Sequence, residues 1–354
     1  MRIHGSFPGG NISCLGIEGD TVLLERQLRD TEGDWFYWAF AVEDACGRTV
    51  RFRFPAKDRV GRFGPAVSRD FSTWHFLGAR EVTEEGEGFS YTFGPDETCV
   101  WFAHHMLYPL PRLSALCERL GTELFPFCPT EGGRAVPAVS FGRGDKRVLL
   151  TARHHACEST GSYVLEGVLE TLCASGREDL AVLAVPFVDY EGVLAGDQGK
   201  NRRPHDHNRD YTDHPRYPVI RALKAAVAED SSPLYYLDLH SPWHQGGEND
   251  RLFAVLPAGR EEEYARFSRL LAEESRDLTP RYDGTSDVPA GERWNSATSP
   301  SSKNYFASLP FCRLSLTLET AYFGEEDAPV SQAQLVDYGR AVGRALLRQI
   351  DTDA

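Results

Sequence analysis

The sequence has no long apolar run. No stretch approaches the roughly 20 apolar residues that a membrane-spanning helix needs, so no such helix is expected. The first ten residues carry no apolar core of a secretory signal, and none is expected. Positive charge is not in excess either, since the formal net charge is −14. That balance argues against nucleic acid and against an anionic membrane as general partners. It leaves room for a local pocket of the opposite sign. The eight cysteines are Cys14, Cys46, Cys99, Cys117, Cys128, Cys157, Cys173 and Cys312, and none are in CxxC spacing. Several lie within apolar strand or helix patterns. Reduced, mostly buried thiols in a cytoplasmic protein fit this better than a disulfide framework. No internal repeat and no low-complexity segment is present. The stretch Gly196 to Lys200 is not a phosphate loop, because Leu194 stands where a glycine belongs and Asn201 where Ser or Thr would bind magnesium.

What is present is an ordinary globular composition, 41% hydrophobic and 25% charged. A length of 354 residues exceeds one core, so two domains are expected. Residues 1–108 read as all-β. Residues 34–42 are aromatic and β-branched, and residues 49–54 alternate with period two, as a half-exposed strand does. Short strands at this spacing predict an antiparallel sandwich. Leucines 113, 116 and 120 predict a short helix over 111–120, and the Pro- and Gly-rich residues 128–138 a loop or edge strand. From about residue 146 the pattern alternates strand and helix. Strands are expected at 147–151, 180–188, 235–240 and 312–317, and helices at 159–174, 219–227, 261–274 and 331–350. This is an α/β sheet, whose ligands sit at the carboxyl ends of its strands. The expected division is 1–108 and 109–354.

Two of those strand ends carry chemistry. The strand ending at Ala152 runs into Arg153-His154-His155-Ala156-Cys157-Glu158, which presents His155 and Glu158 three residues apart. The strand over 235–240 ends on His240. Two histidines and one carboxylate at strand ends form a zinc ligand set with one position open. An open position polarises water, which points to a hydrolase. Against this, His155 could be a satisfied core histidine and Glu158 a carboxylate favoured by a helix N-terminus. His154 with Cys157 is an alternative pair of ligands. His244 lies four residues beyond His240, but Pro242 argues against a helix joining them, which leaves His244 on the rim. Glu319 follows the apolar run 314–318, and a carboxylate there is costly unless partnered or useful.

Four segments, in order, resemble the M14 zinc carboxypeptidases, most closely their cytosolic carboxypeptidase branch. They are Ala152-Arg153-His154-His155-Ala156-Cys157-Glu158-Ser159, Asp206-His207-Asn208-Arg209-Asp210-Tyr211, Asp238-Leu239-His240 and Thr317-Leu318-Glu319. The Trp35-Phe36-Tyr37-Trp38 and Phe102-Ala103-His104-His105-Met106-Leu107-Tyr108-Pro109 stretches are similar to the β-domain of that branch. The resemblance implies an antiparallel β-sandwich followed by a mixed-sheet α/β zinc carboxypeptidase domain. It implies zinc on His155, Glu158 and His240, with Asp206 holding the outer nitrogen of His155. Asn208 and Arg209 would grip a terminal carboxylate, and Glu319 would shuttle the proton. The substrate implied is the C-terminus of a peptide or protein, with acidic tails one possibility. Two departures stand out. Gln198-Gly199 occupies the place of a Tyr-Arg pair that supplies a cation for the developing oxyanion, which leaves Lys200, Arg202 and Arg203 as candidates. Tyr305 is the only tyrosine in 292–311, where the family has a phenol that closes over substrate. Two other readings remain: an N-acyl amino acid deacylase on the same zinc site, and a non-catalytic module that binds carboxylate tails through Arg209.

Overall fold

A computed structural model describes residues 1–353. Its first third is two facing sheets. One has five strands in the order Arg2–His4, Ala39–Glu43, Cys99–Ala103, Ala66–Ser68 and His75–Phe76, antiparallel throughout. The other has four, Ser13–Glu18, Thr21–Glu25, Thr49–Arg53 and Gly88–Thr92. It departs from the antiparallel expectation at one pair, since Thr21–Glu25 runs parallel to Thr49–Arg53. In Thr49–Arg53 the alternation turns Val50 and Phe52 inward and leaves the other three residues exposed. Phe52 then packs against Phe89 at 4.9 Å and against Phe102 of the facing sheet at 5.3 Å. Tilted aromatic pairs of this kind bury large rings against one another inside the sandwich.

The aromatic run 34–42 pairs as a strand only from Ala39. Residues 35–38 lie outside any strand, with Tyr37 N donating to Gln198 Oε1 and Trp38 O accepting from His104 N, each at 2.9 Å. The rings of Phe36 and Tyr37 join the core cluster that also holds Leu150 and Leu237 of the larger sheet. Helix Leu110–Leu120 follows the sandwich and stops at Gly121, whose φ of 65° is the left-handed conformation that suits a glycine cap.

The second region is built on a seven-stranded mixed sheet. Its middle is four parallel strands, in the order Leu180–Val185, Lys146–Ala152, Leu234–His240 and Cys312–Glu319. Residues 128–138, left open between loop and edge strand, form most of an antiparallel hairpin, Leu124–Pro129 with Ala135–Gly142, at one margin. Phe253–Val255 closes the other margin antiparallel. Strand Leu234–His240 is buried at every position, which suits its apolar and aromatic residues 234–237 and 239 and leaves Asp238 and His240 as buried polar groups. Helices Thr160–Ala174 and Gln332–Thr352 cover one face and cross closely. A Cβ at Gly167 would meet Val336 O at 2.0 Å, and one at Gly339 would meet Val164 O at 2.1 Å. Among the described residues no helix is long and apolar enough to cross a membrane.

Candidate active site

Three adjacent parallel strands end on one rim of the sheet, and their register places the functional groups. Thr151, Asp238 and Thr317 lie side by side, and two residues further on His240 is paired with Glu319. The strand Lys146–Ala152 gives way to a turn before helix Thr160–Ala174, and that turn brings His155 and Glu158 beside His240.

The ligand atoms converge. His155 Nδ1 is 2.8 Å from Glu158 Oε1, and His240 Nδ1 is 2.6 Å from Glu158 Oε2. All three residues offer donors within 4.8 Å of one another. Each imidazole is held from behind by a carboxylate. His155 Nε2 donates to Asp206 Oδ2 at 3.3 Å, and His240 Nε2 donates to Asp238 Oδ2 at 2.8 Å. With the outer nitrogens protonated, both inner lone pairs face the lone pairs of Glu158. Glu158 Oε2 is buried and makes no hydrogen bond despite its short separation from His240. Atoms so placed suit a shared cation better than one another. Two imidazole nitrogens and a carboxylate, with carboxylates orienting the rings, fit a divalent metal. The surrounding carboxylates make the site favour positive charge, whether a proton on an imidazole or a metal ion. Burial opposes charge on both imidazoles, yet Asp238 and Glu158 outweigh it at His240, and Glu158 and Asp206 outweigh it at His155, so both are raised. Burial opposes charge on Glu158 too, but the two imidazoles and Lys200 hold it well below the ordinary carboxylate range.

Glu319 lines the same cleft as His155, His240, Asn208 and Arg209. It is 7% exposed, and its Oε2 has no hydrogen-bond partner. Burial pushes its carboxyl up to about 7, against the pull of His240. Asp206 caps the short turn His207–Arg209 by accepting from Asn208 N at 2.7 Å. Asn208 Nδ2 lies 3.2 Å from His240 Nε2, and its Oδ1 accepts from Ser302 N at 2.9 Å. Arg209 donates to Asn208 O at 2.8 Å, which turns its guanidinium along the cleft wall.

The three candidate cations are separated by their partners. Lys200 Nζ is 2.5 Å from Glu158 Oε1 and donates to Ser241 O and Pro242 O, each at 3.0 Å. Arg202 is not in the cleft. It is bound by Asp197 at 2.8 Å and Asp189 at 3.0 Å, so its assignment to substrate is corrected. Arg203 is exposed and pairs with Glu32 at 2.8 Å. The Gln198-Gly199 departure has a steric reason. Gly199 has φ +78°, and a Cβ there would stand 2.1 Å from Ala156 N, inside the turn that carries the ligands.

Tyr305 is also corrected. Its ring packs on Tyr211 and Phe306, at 5.8 and 5.2 Å, under Lys224, and it takes no part in the cleft wall. From the same loop it is Trp294, 59% exposed, that lines the cleft, together with Lys303. Sequence reading missed Trp294, because an exposed tryptophan on an irregular loop has no periodic signal. Lys303 follows the Ser- and Thr-rich run 295–302 and precedes Asn304, with Tyr305 and Phe306 beyond it. Burial, then Arg209, lowers its ammonium to about 8.

His154 and Cys157 do not form a metal pair. Both ring nitrogens of His154 are taken, by Asp238 Oδ1 and by Tyr211 OH, each at 2.8 Å. Burial pushes the Cys157 thiol up to about 12. His244 is not on the rim. It is 3% exposed, stacks on Phe36 at 5.2 Å and reaches Asp58 at 3.1 Å, at the seam with the β-domain.

No family model matches the chain. It is 25% identical to Cytosolic carboxypeptidase 6 of Caenorhabditis elegans, an alignment that spans 100% of this chain and 88% of that protein. A metallo-carboxypeptidase from Burkholderia cenocepacia has a similar structure, with a TM-score of 0.79 at 18% identity over 100% of this chain and 99% of the other. A metallo-carboxypeptidase from Pseudomonas aeruginosa, solved with (2-guanidinoethylmercapto)succinic acid, gives 0.78 at 20% identity over 99% of each chain. The fold is therefore shared along the whole chain, β-domain included. The chain is thus similar in sequence to a cytosolic carboxypeptidase and shares its fold with metallo-carboxypeptidases.

Proposed function

We propose that the chain is a zinc metallocarboxypeptidase that removes the C-terminal residue of a peptide or protein, through a peptide or isopeptide bond. The observation that supports it best is the pairing of His240 with Glu319 at one sheet rim, opposite Asn208 and Arg209. His155, Glu158 and His240 hold the metal, and bound zinc supplies a Lewis acid that polarises a carbonyl and acidifies water. Glu319 takes the proton from the attacking water and passes it to the leaving amine. In the metal-free site burial raises this carboxyl to about 7, toward the range in which one group can both take and give a proton near neutrality. Arg209 binds the terminal carboxylate through its planar fork, which lysine lacks. Asn208 beside it orients the same group. Lys200 has all three donors engaged, so it offsets negative charge on the carbonyl by its field rather than by a new hydrogen bond. Lys303 gives the cleft a second cation, which favours an acidic terminal side chain.

A C-terminal peptide library incubated with zinc-loaded protein and read by mass spectrometry tests this. Loss of one residue from free-acid peptides, fastest where that residue is acidic, is expected, with amidated peptides intact. Equal cleavage of amides would remove Arg209 from its role. Hydrolysis confined to N-acyl amino acids would point to a deacylase, and binding without turnover to a carboxylate-reading module.

A further inference from the structure

A second cavity, of about 420 Å³, lies at the seam between the β-domain and the α/β domain. That volume is within the range of roughly 300–1,000 Å³ usual for small-molecule sites. It shares no lining residue with the catalytic cleft. Tyr37 and Phe71 of the β-domain form one side; Leu107, Phe187 and Val193 form others. Among the described residues that line it, Arg153 is the only charged one.

Arg153 is an unusual wall residue. It is 5% exposed, and its backbone is in the left-handed region at φ +60°, a conformation non-glycine residues rarely hold without compensation. Its Nε donates to Ala156 O at 2.8 Å and its Nη2 to the same oxygen, so those two nitrogens brace the turn between His155 and Glu158. The third nitrogen, Nη1, is buried with no partner. Phe187 lies beneath the guanidinium at 5.9 Å, and no carboxylate pairs with it among the described residues. Bracing the turn accounts for two nitrogens and leaves the third, and the charge, unexplained. A buried cation with no carboxylate at ion-pair distance is costly; Arg153 lines the cavity, and a small shift of its side chain would open Nη1 to an anion there.

We infer that this seam is a second binding site, for an amphipathic monocarboxylate of the medium-chain fatty acid class, its carboxylate on Arg153 and its chain along the aromatic and aliphatic walls. A neutral apolar ligand would leave the guanidinium unpaired. A small inorganic anion would leave the apolar walls wet. Only a ligand with one anionic end and an apolar body satisfies both.

The probe is sodium decanoate, titrated calorimetrically into the zinc-loaded full-length chain. One equivalent is expected to bind, at least tenfold more tightly than 1-decanol. Val193→Trp fills the cavity without touching Arg153, and should weaken decanoate at least tenfold. Arg209→Ala removes the carboxylate anchor of the catalytic cleft and should leave decanoate binding unchanged. Absence of saturable binding, equal affinity for decanol, or unchanged affinity in Val193→Trp would each overturn the assignment. Loss of binding in Arg209→Ala would place the fatty acid in the catalytic cleft and overturn it too. Since that readout is binding at a separate cavity, its failure leaves the peptidase proposal standing.

Discussion

His154 and His155 are neighbours in sequence and opposites in environment. His154 sits in a shell where every polar atom is matched. Asp238 accepts from His154 Nδ1 and Thr151 Oγ1 on one oxygen, and from His240 Nε2 and Ser302 Oγ on the other. Its four acceptor sites are thereby used. Tyr211 closes the far side of His154, and Tyr236 closes Thr151 at 2.7 Å. One layer outward, at His155, the matching fails: Glu158 and Glu319 each leave a buried oxygen without a hydrogen bond. Satisfied polar groups fix geometry, and unsatisfied ones are where binding and reaction can occur. The inner shell holds the rings so that the outer layer can stay unmatched.

The largest effect should come from the unmatched layer. Glu319→Gln should lower turnover by about 10²–10⁴-fold, the usual range for a general acid–base group, while zinc content measured by mass spectrometry of the metal stays at one per chain. Unchanged turnover would end the distinction between the two layers at its most exposed point. The same substitution should make the metal-free protein more stable. Glu319 is raised from 4.5 to about 7 in the fold, so the unfolded chain gives up that proton first. The carboxylate therefore weakens the fold increasingly as pH climbs from 4.5 through 7, and the penalty is complete above that window. Thermal unfolding should show Glu319→Gln gaining more at pH 8 than at pH 4. An equal gain at both would mean that the carboxyl is not held protonated by burial.

Asp238→Asn tests the inner shell. Support for a ligand from behind is commonly worth about 10–100-fold in metal affinity, and a loss in that range is expected by chelator competition. Zinc affinity equal to that of the parent would reduce the shell to packing. His154→Gln should act through the same carboxylate at one remove. A buried hydrogen-bond partner lost without replacement costs about 1–3 kcal/mol of stability, visible in denaturant unfolding, with metal stoichiometry retained. If that variant instead lost its zinc, His154 would be a ligand and the contrast between the two histidines would be wrong.

The contrast also explains what could be read from the chain alone. His240 and Glu319 were legible because each ends an apolar strand, and His155 and Glu158 because they lie in the turn just after one; parallel register then brings those rims together. Asn208, Arg209 and Asp206 were legible only through family resemblance, since a three-residue turn has no periodic signature. Arg202 and Lys200 could not be told apart, because what separates them is which carboxylates surround each. Arg202 meets Asp189 and Asp197 from its own loop region and Asp30 of the β-domain, the last at 3.6 Å. His244 was misplaced for the same reason: Phe36 and Asp58, which bury it, come from 208 and 186 residues upstream, more than half the chain. Local pattern predicts which face of an element is buried. It does not predict which charge from a distant segment arrives there.

Tyr305 gives the smallest expected effect and a sharp test of that limit. Its ring contributes packing to Tyr211, which closes the matched shell through His154, and its hydroxyl lies outside the cleft wall. Tyr305→Phe keeps the ring and removes only the hydroxyl, so kcat and KM should both stay within about twofold, as for most substitutions away from reacting groups. Trp294 does line the cleft, and Trp294→Ala should raise KM for peptide substrates with a smaller change in kcat, the pattern of an interaction made equally in ground and transition states. A large fall in kcat for Tyr305→Phe would require the loop 292–311 to swing that phenol into the cleft when substrate binds. The boundary between the matched shell and the reactive layer would then be set by the substrate rather than by the fold.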